Sequence, residues 1–155
     1  MKKFLSKFVK QGLLKIVEPS KNISLSYQEK SKSNFESAII LLENKKLEES
    51  VSFVYYSMYN LILSLLYSIG IKSENHIVSI FLLKNIFGLD NSKIIEAKSE
   101  RIDKQYYVGF RISKEEVKNA LKMAEEFNRE LKGFISGIGR KDVENYRNKF
   151  KELLR

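Results

Sequence analysis

The stretch "VYYSMYNLILSLLYSIGI", Val54 to Ile71, carries no charge, and the preceding "VSF" lengthens the uncharged run to 21 residues in a chain otherwise dense with lysine. About 20 apolar residues are enough to cross a bilayer, so the run must be read either as a span or as a core helix. At 100° per residue it is not apolar all round. Ser57, Asn60, Ser64 and Ser68 fall within about 80° of one another, with Tyr56 and Tyr67 at their border. Val54, Met58, Leu61, Ile62, Leu65 and Ile69 lie opposite. A lone helix facing lipid gains nothing from a polar seam. A helix buried on one side and docked through its seam on the other does. The run therefore reads as the central helix of a bundle, with no integral membrane insertion. Its small polar side chains either bond to neighbouring helices or let a second protomer approach closely.

Helical segments continue outward from this run. "MKKFLSKFVKQGLLKIV" sets Phe4, Leu5, Phe8, Val9, Leu13 and Ile16 at helical spacing against lysines, predicting a first helix over Lys2–Val17 that Pro19 ends. Lys7, Lys10 and Lys15 interrupt any signal-peptide core. A second helix is expected over Ser24–Glu43 and the central one over Leu47–Ile69, closed by Gly70. Ser73 can cap a fourth over Glu74–Phe87, and Asn91 a fifth over Ser92–Tyr107. "SKEE" (Ser113–Glu116) is a capping-box pattern opening a sixth helix through Lys132. Only "YVGFRI" (Tyr107–Ile112) alternates like a strand, and it is too isolated to build a sheet. The expected fold is all-α: an up-and-down bundle of four to five core helices over residues 21–135, with a basic amphipathic helix (1–20) before it and a basic helical tail (136–155) after it.

Charge follows the same division. Residues 1–32 carry a net +6 and residues 140–155 a net +3, while residues 33–139 sum to zero. A neutral body with basic ends suits polyanion attraction, nucleic acid ahead of anionic membrane, or simply solvated ends. Cysteine is absent, so no disulfide or thiolate chemistry is available, which suits a cytoplasmic location. With one histidine and no cysteine a zinc site is implausible and no cofactor is expected. The chain has no Gly-rich phosphate loop and no G-x-S-x-G motif.

"SLSYQEKSKSNFESAIILLENKKLEESVSFVYYSMYNLILSLLYSIGIKSENH", then "FLLKNIFG" and "SERIDKQYY", resembles the HEPN domain superfamily, most closely its small prokaryotic UPF0332-like members. The resemblance covers about Ser24–Gly133 and is strongest in "YYSMYN" and "RIDKQYY". It implies a four- or five-helix bundle that forms a homodimer and pairs with a minimal nucleotidyltransferase in toxin–antitoxin or defence settings. Many such proteins are metal-independent ribonucleases whose motif, an Arg followed four to six residues later by His, sits at the dimer cleft.

On this chain the Arg is Arg101, while the His position falls on Tyr106. Metal-free RNA cleavage needs a base for the 2′-hydroxyl proton and a cation for the charge that develops on phosphorus. Arg101 supplies a guanidinium suited to phosphate. A tyrosine, with a pKa near 10, is a poor base at neutral pH, though Tyr106 could hydrogen-bond or stack on a nucleobase. The resemblance also makes Tyr106 or Tyr107 a candidate acceptor of nucleotidyl transfer. Asp103 and Tyr107 lie four apart on one helical face and read either as site residues or as an ordinary surface pair. His76, the single histidine, stands in as base if the fold brings it to Arg101; otherwise it caps or packs. The expected cleft holds Asn60, Ser64, Arg101, Tyr106 and His76 and binds RNA or nucleotide. Two other readings remain: a non-catalytic interaction module, and a peripheral membrane role for the first helix.

Overall fold

The computed structural model describes residues 1–106 and 111–155, with side chains for 1–101 and 111–155. Among the described residues it contains seven helices and one two-stranded ribbon. These are α1 (Lys2–Lys10), β1 (Leu14–Ile16), α2 (Lys21–Glu43), α3 (Leu47–Ser68), β2 (Ile71–Ser73), α4 (His76–Phe87), α5 (Ser92–Tyr106), α6 (Lys114–Ser136) and α7 (Arg140–Leu154). The fold is all-α, as expected. No described helix is long and apolar enough to cross a membrane.

The central helix is α3, which holds most of the uncharged run. It packs against α2, α5 and α6, and its apolar side chains, Tyr55, Met58, Leu61, Ile62, Leu65 and Leu66 among them, are fully buried. Its serine seam is satisfied from inside the bundle. Ser64 Oγ donates to the Ser24 carbonyl at 2.8 Å and shares a second 2.8 Å bond with the Ser24 hydroxyl. Ser31 Oγ donates to the Ser57 carbonyl at 2.6 Å, and Asn128 Nδ2 to Ser57 Oγ at 3.2 Å. Small side chains that hydrogen-bond locally let α2 close tightly on α3 without leaving buried polar atoms bare.

Several boundaries differ from the sequence reading for identifiable reasons. The first helix ends at Lys10 rather than Val17, because Gly12 adopts a left-handed conformation (φ 73°) and Leu14–Ile16 pair antiparallel with Ile71–Ser73. Two three-residue strands contribute too little alternation to be read from sequence. The fourth helix is capped by Asn75, whose side chain accepts from the Val78 N–H at 3.0 Å, while Ser73 lies in β2. The second helix starts three residues early on the Ser20 cap, and the sixth continues through Gly133 to Ser136. The Ser113–Glu116 capping box forms as read. Most of the "YVGFRI" stretch lies outside the described residues.

Gly70, at φ 76°, links α3 to β2; a Cβ there would collide with the Val17 carbonyl and the Arg147 guanidinium. Arg147, from α7, donates through one terminal nitrogen to the carbonyls of Val17 (2.9 Å), Ile69 (2.9 Å) and Gly70 (3.1 Å). Leu5 of α1 and Phe150 of α7 are buried in the same cluster as α3. The apolar face of α1 is thus turned into the protein, with Phe4 edge-on to Phe8 and to Phe81 of α4.

Candidate functional site

The tyrosines of "YYSMY" decide the geometry. Tyr55 and Tyr59 sit one helical turn apart, so both rings leave α3 on one side, toward the start of α4. His76 is the first residue of α4, held there by the Asn75 cap and by β2 behind it. Its Nδ1 shares a 2.7 Å hydrogen bond with the Tyr55 hydroxyl, and its ring stacks on Tyr59 with centroids 3.9 Å apart. The Tyr59 hydroxyl lies 3.2 Å from Ser79 Oγ, which donates onward to Ser73 Oγ at 2.9 Å.

Arg101 approaches from α5. Its guanidinium carbon lies 4.9 Å from the centroid of Tyr56 and 5.5 Å from that of Tyr55. Among the described residues no acceptor meets its buried Nε. The aromatic faces hold the cation by cation–π attraction while leaving this donor unspent. One tyrosine, Tyr55, therefore touches both His76 and Arg101.

The electrostatics follow from burial. The Tyr55 phenol is pushed up from its ordinary value by burial and by Tyr59, against the opposing pull of Arg101, so it stays protonated. Tyr59 is also raised by burial. His76 is pushed down, first by burial, then by Arg101 and Lys98. Burial is the leading cause. A neutral imidazole beside a permanent cation is the protonation state a general base requires. In the tautomer whose Nδ1–H donates to the Tyr55 oxygen, Nε2 keeps a free lone pair.

The remaining sequence candidates fall elsewhere. Asn60 and Ser64 are both buried, and Ser64 bonds to Ser24 on α2. They lie about 140° and 180° around α3 from Tyr55, while Asn60 is one turn and about 40° from Tyr56. Asp103 and Tyr106 belong to α5, but their side chains lie outside the described residues, as does Tyr107 altogether. Sequence reasoning missed Tyr55, Tyr56 and Tyr59 as site residues. The signal was present in the "YYSMY" spacing, which places two rings one turn apart.

Beside this cluster lies an open groove of about 440 Å³ between α4 and α5, lined by Ile77, Ile80, Phe81, Ile95, Lys98 and others. Ile77 is 57% and Ile95 50% exposed, which makes this an uncovered apolar strip adjoining His76 in sequence and lying within two turns of Arg101.

The all-α bundle thus carries an arginine on aromatic rings and a histidine bonded to one of those rings' hydroxyls. Residues 25–134 match the HEPN domain family, more than half of the chain, and the protein belongs to that family. HEPN domains are generally associated with nucleic acids and ribonuclease activity and commonly dimerise. No curated protein sequence matches the chain.

Proposed function

We propose that this HEPN protein acts as a cytoplasmic homodimer that binds RNA or nucleotide at the edge formed by Arg101, His76 and Tyr55, and cleaves RNA there without a metal. The observation that carries this reading is the shared tyrosine: His76 bonds to the Tyr55 hydroxyl while Arg101 lies over the Tyr55 and Tyr56 rings. His76 takes the 2′-hydroxyl proton in place of the histidine that the motif lacks at Tyr106, and Arg101 neutralises the charge developing on phosphorus. The exposed strip at Ile77 and Ile95 supports docking of the second protomer next to this site. Such an arrangement closes a cleft over a half-open edge.

The test is cleavage of single-stranded RNA in excess chelator. Wild-type protein is expected to cut, and Arg101→Ala and His76→Gln to lose at least 100-fold with their folds intact. Unchanged cutting by either variant removes that residue from the mechanism. Ile77→Glu is expected to shift the sedimentation coefficient from dimer to monomer. Tyr106 in place of the motif histidine favours a second reading, a non-catalytic nucleic-acid-binding module; tight RNA binding with no cutting selects it.

The resemblance further supports pairing with a minimal nucleotidyltransferase in a toxin–antitoxin or defence module. In that setting Tyr106 or Tyr107 receives a nucleotidyl group. Co-expression with such a partner should add the mass of one nucleoside monophosphate to a peptide containing these tyrosines.

A further inference from the structure

On the side of the bundle away from Arg101, α2 and α6 leave an open trench. On α2 it is bordered at one end by Lys21 and at the other by Lys32 and Glu36. These positions recur at helical spacing along one stripe, and 15 residues of helix make the trench about 22 Å long. On the other wall are Arg129 and Lys132 of α6 and, past its end, Arg140 of α7. Two cavities, of about 450 and 820 Å³, make up the trench and meet at Lys132.

Three properties set this surface apart from an ordinary solvated face. First, Lys21, Lys32, Arg129, Lys132 and Arg140 are all exposed, and none forms an ion pair among the described residues. Glu36 and Glu125 flank one end only, so the trench is net positive. Second, its floor carries an aromatic ring, Phe35, beside the cations. Third, Asn128, only 8% exposed, lines the trench with a job half done. Its Nδ2 donates to Ser57 Oγ, while its Oδ1 is buried and meets no donor. A buried amide oxygen left without a donor costs free energy until an N–H or O–H arrives.

We propose that this trench binds a single-stranded nucleic acid. The five cations meet backbone phosphates, Phe35 offers an aromatic surface to a base, and Asn128 Oδ1 accepts from a base amino or imino group. The space between two neighbouring helices is too narrow to admit a duplex, and a concave trench with a recessed acceptor does not suit a flat membrane. This site is independent of the Arg101 edge: Phe35 and Asn128 approach α3 from the α2 and α6 side, whereas Tyr55 faces α4 and α5.

The experiment is fluorescence-anisotropy titration of a short 2′-deoxy oligothymidylate, carried out over a range of salt in full-length Arg101→Ala protein so that the Arg101 edge is silent. Binding is expected to persist in that background. Adding Lys32→Gln, Arg129→Gln and Lys132→Gln is expected to weaken it at least tenfold at low salt. The log–log salt slope should become shallower by about 2, at roughly 0.7 for each single-strand phosphate that is no longer neutralised. Lys132→Gln alone, an exposed change that spares the fold, is expected to reduce the slope by about 0.7. Loss of all binding with Arg101→Ala would overturn the proposal by assigning the strand to the other edge, whereas failure of RNA cleavage would leave it standing. An unchanged slope in the triple variant, equal affinity for a duplex of the same length, or a triple variant that loses only phosphatidylserine-vesicle binding would each overturn it.

Discussion

The two sides of α3 are built from similarly polar residues and do opposite things. On one side Ser57 and Ser64 are closed off, each bonded to a group on α2 or α6. On the other, Tyr55, Tyr56 and Tyr59 hold His76 and Arg101 at a half-open edge, with a buried guanidinium nitrogen still unmatched. The difference lies in side-chain length. A serine hydroxyl reaches only as far as the neighbouring backbone, so it seals a close helix–helix approach. A tyrosine carries its hydroxyl beyond that contact and can present groups from other helices to a ligand. Polarity on a buried helix is thus a poor guide to function until its reach is known.

This contrast predicts that the two sides can be broken separately. The largest effect is expected at the tyrosine side: Arg101→Ala should slow metal-free RNA cleavage 10²- to 10³-fold, equivalent to about 3–4 kcal/mol. The melting temperature should move by only a few degrees. Next, Ser64→Leu forces a branched side chain into the sealed α2–α3 contact. It should cost about 1–3 kcal/mol by urea denaturation while leaving the turnover of the folded fraction unchanged. If Ser64→Leu instead abolishes cleavage at full stability, the serine side belongs to the site after all.

Tyr55→Phe deletes the hydroxyl that orients His76 while preserving the ring over which Arg101 lies. About 1 kcal/mol of stability should be lost, together with a change in the pH–rate profile that a purely structural hydroxyl would not produce. The smallest effect is on stability against pH. His76 has its folded-state pKa lowered by burial and by Arg101, so the unfolded chain binds its proton more tightly. Its contribution is therefore complete above the unfolded value of about 6.5 and is lost as pH falls below it. Melting curves from pH 7.5 to 5 should show this decline, and His76→Gln should flatten it.

Much of the fold was legible because the 21 residues from Val51 to Ile71, most of them in α3, carry no charge and because α6 opens on a clear capping box. The ribbon of Leu14–Ile16 with Ile71–Ser73 was not, since its pairing is set by Gly12, Gly70 and the Arg147 clamp, partners far apart in the chain. Arg101 and His76 could be named as candidates from residue type and the HEPN resemblance. Their meeting through Tyr55 depends on how α3, α4 and α5 cross, which local periodicity does not encode. For Ser64, likewise, angular position told which residues shared its face, but not that Ser24 of α2 would cover it.

The chain's single histidine makes the proposed site directly measurable. The imidazole signals of His76 can be followed by NMR against pH, alone and with a 2′-deoxy oligonucleotide that cannot be cleaved. A pKa below about 6.5 is predicted for the free protein. It should rise when the strand's phosphate settles beside His76, and that rise should vanish in Arg101→Ala. An ordinary pKa that ignores the bound strand would contradict the assignment of this edge as the site.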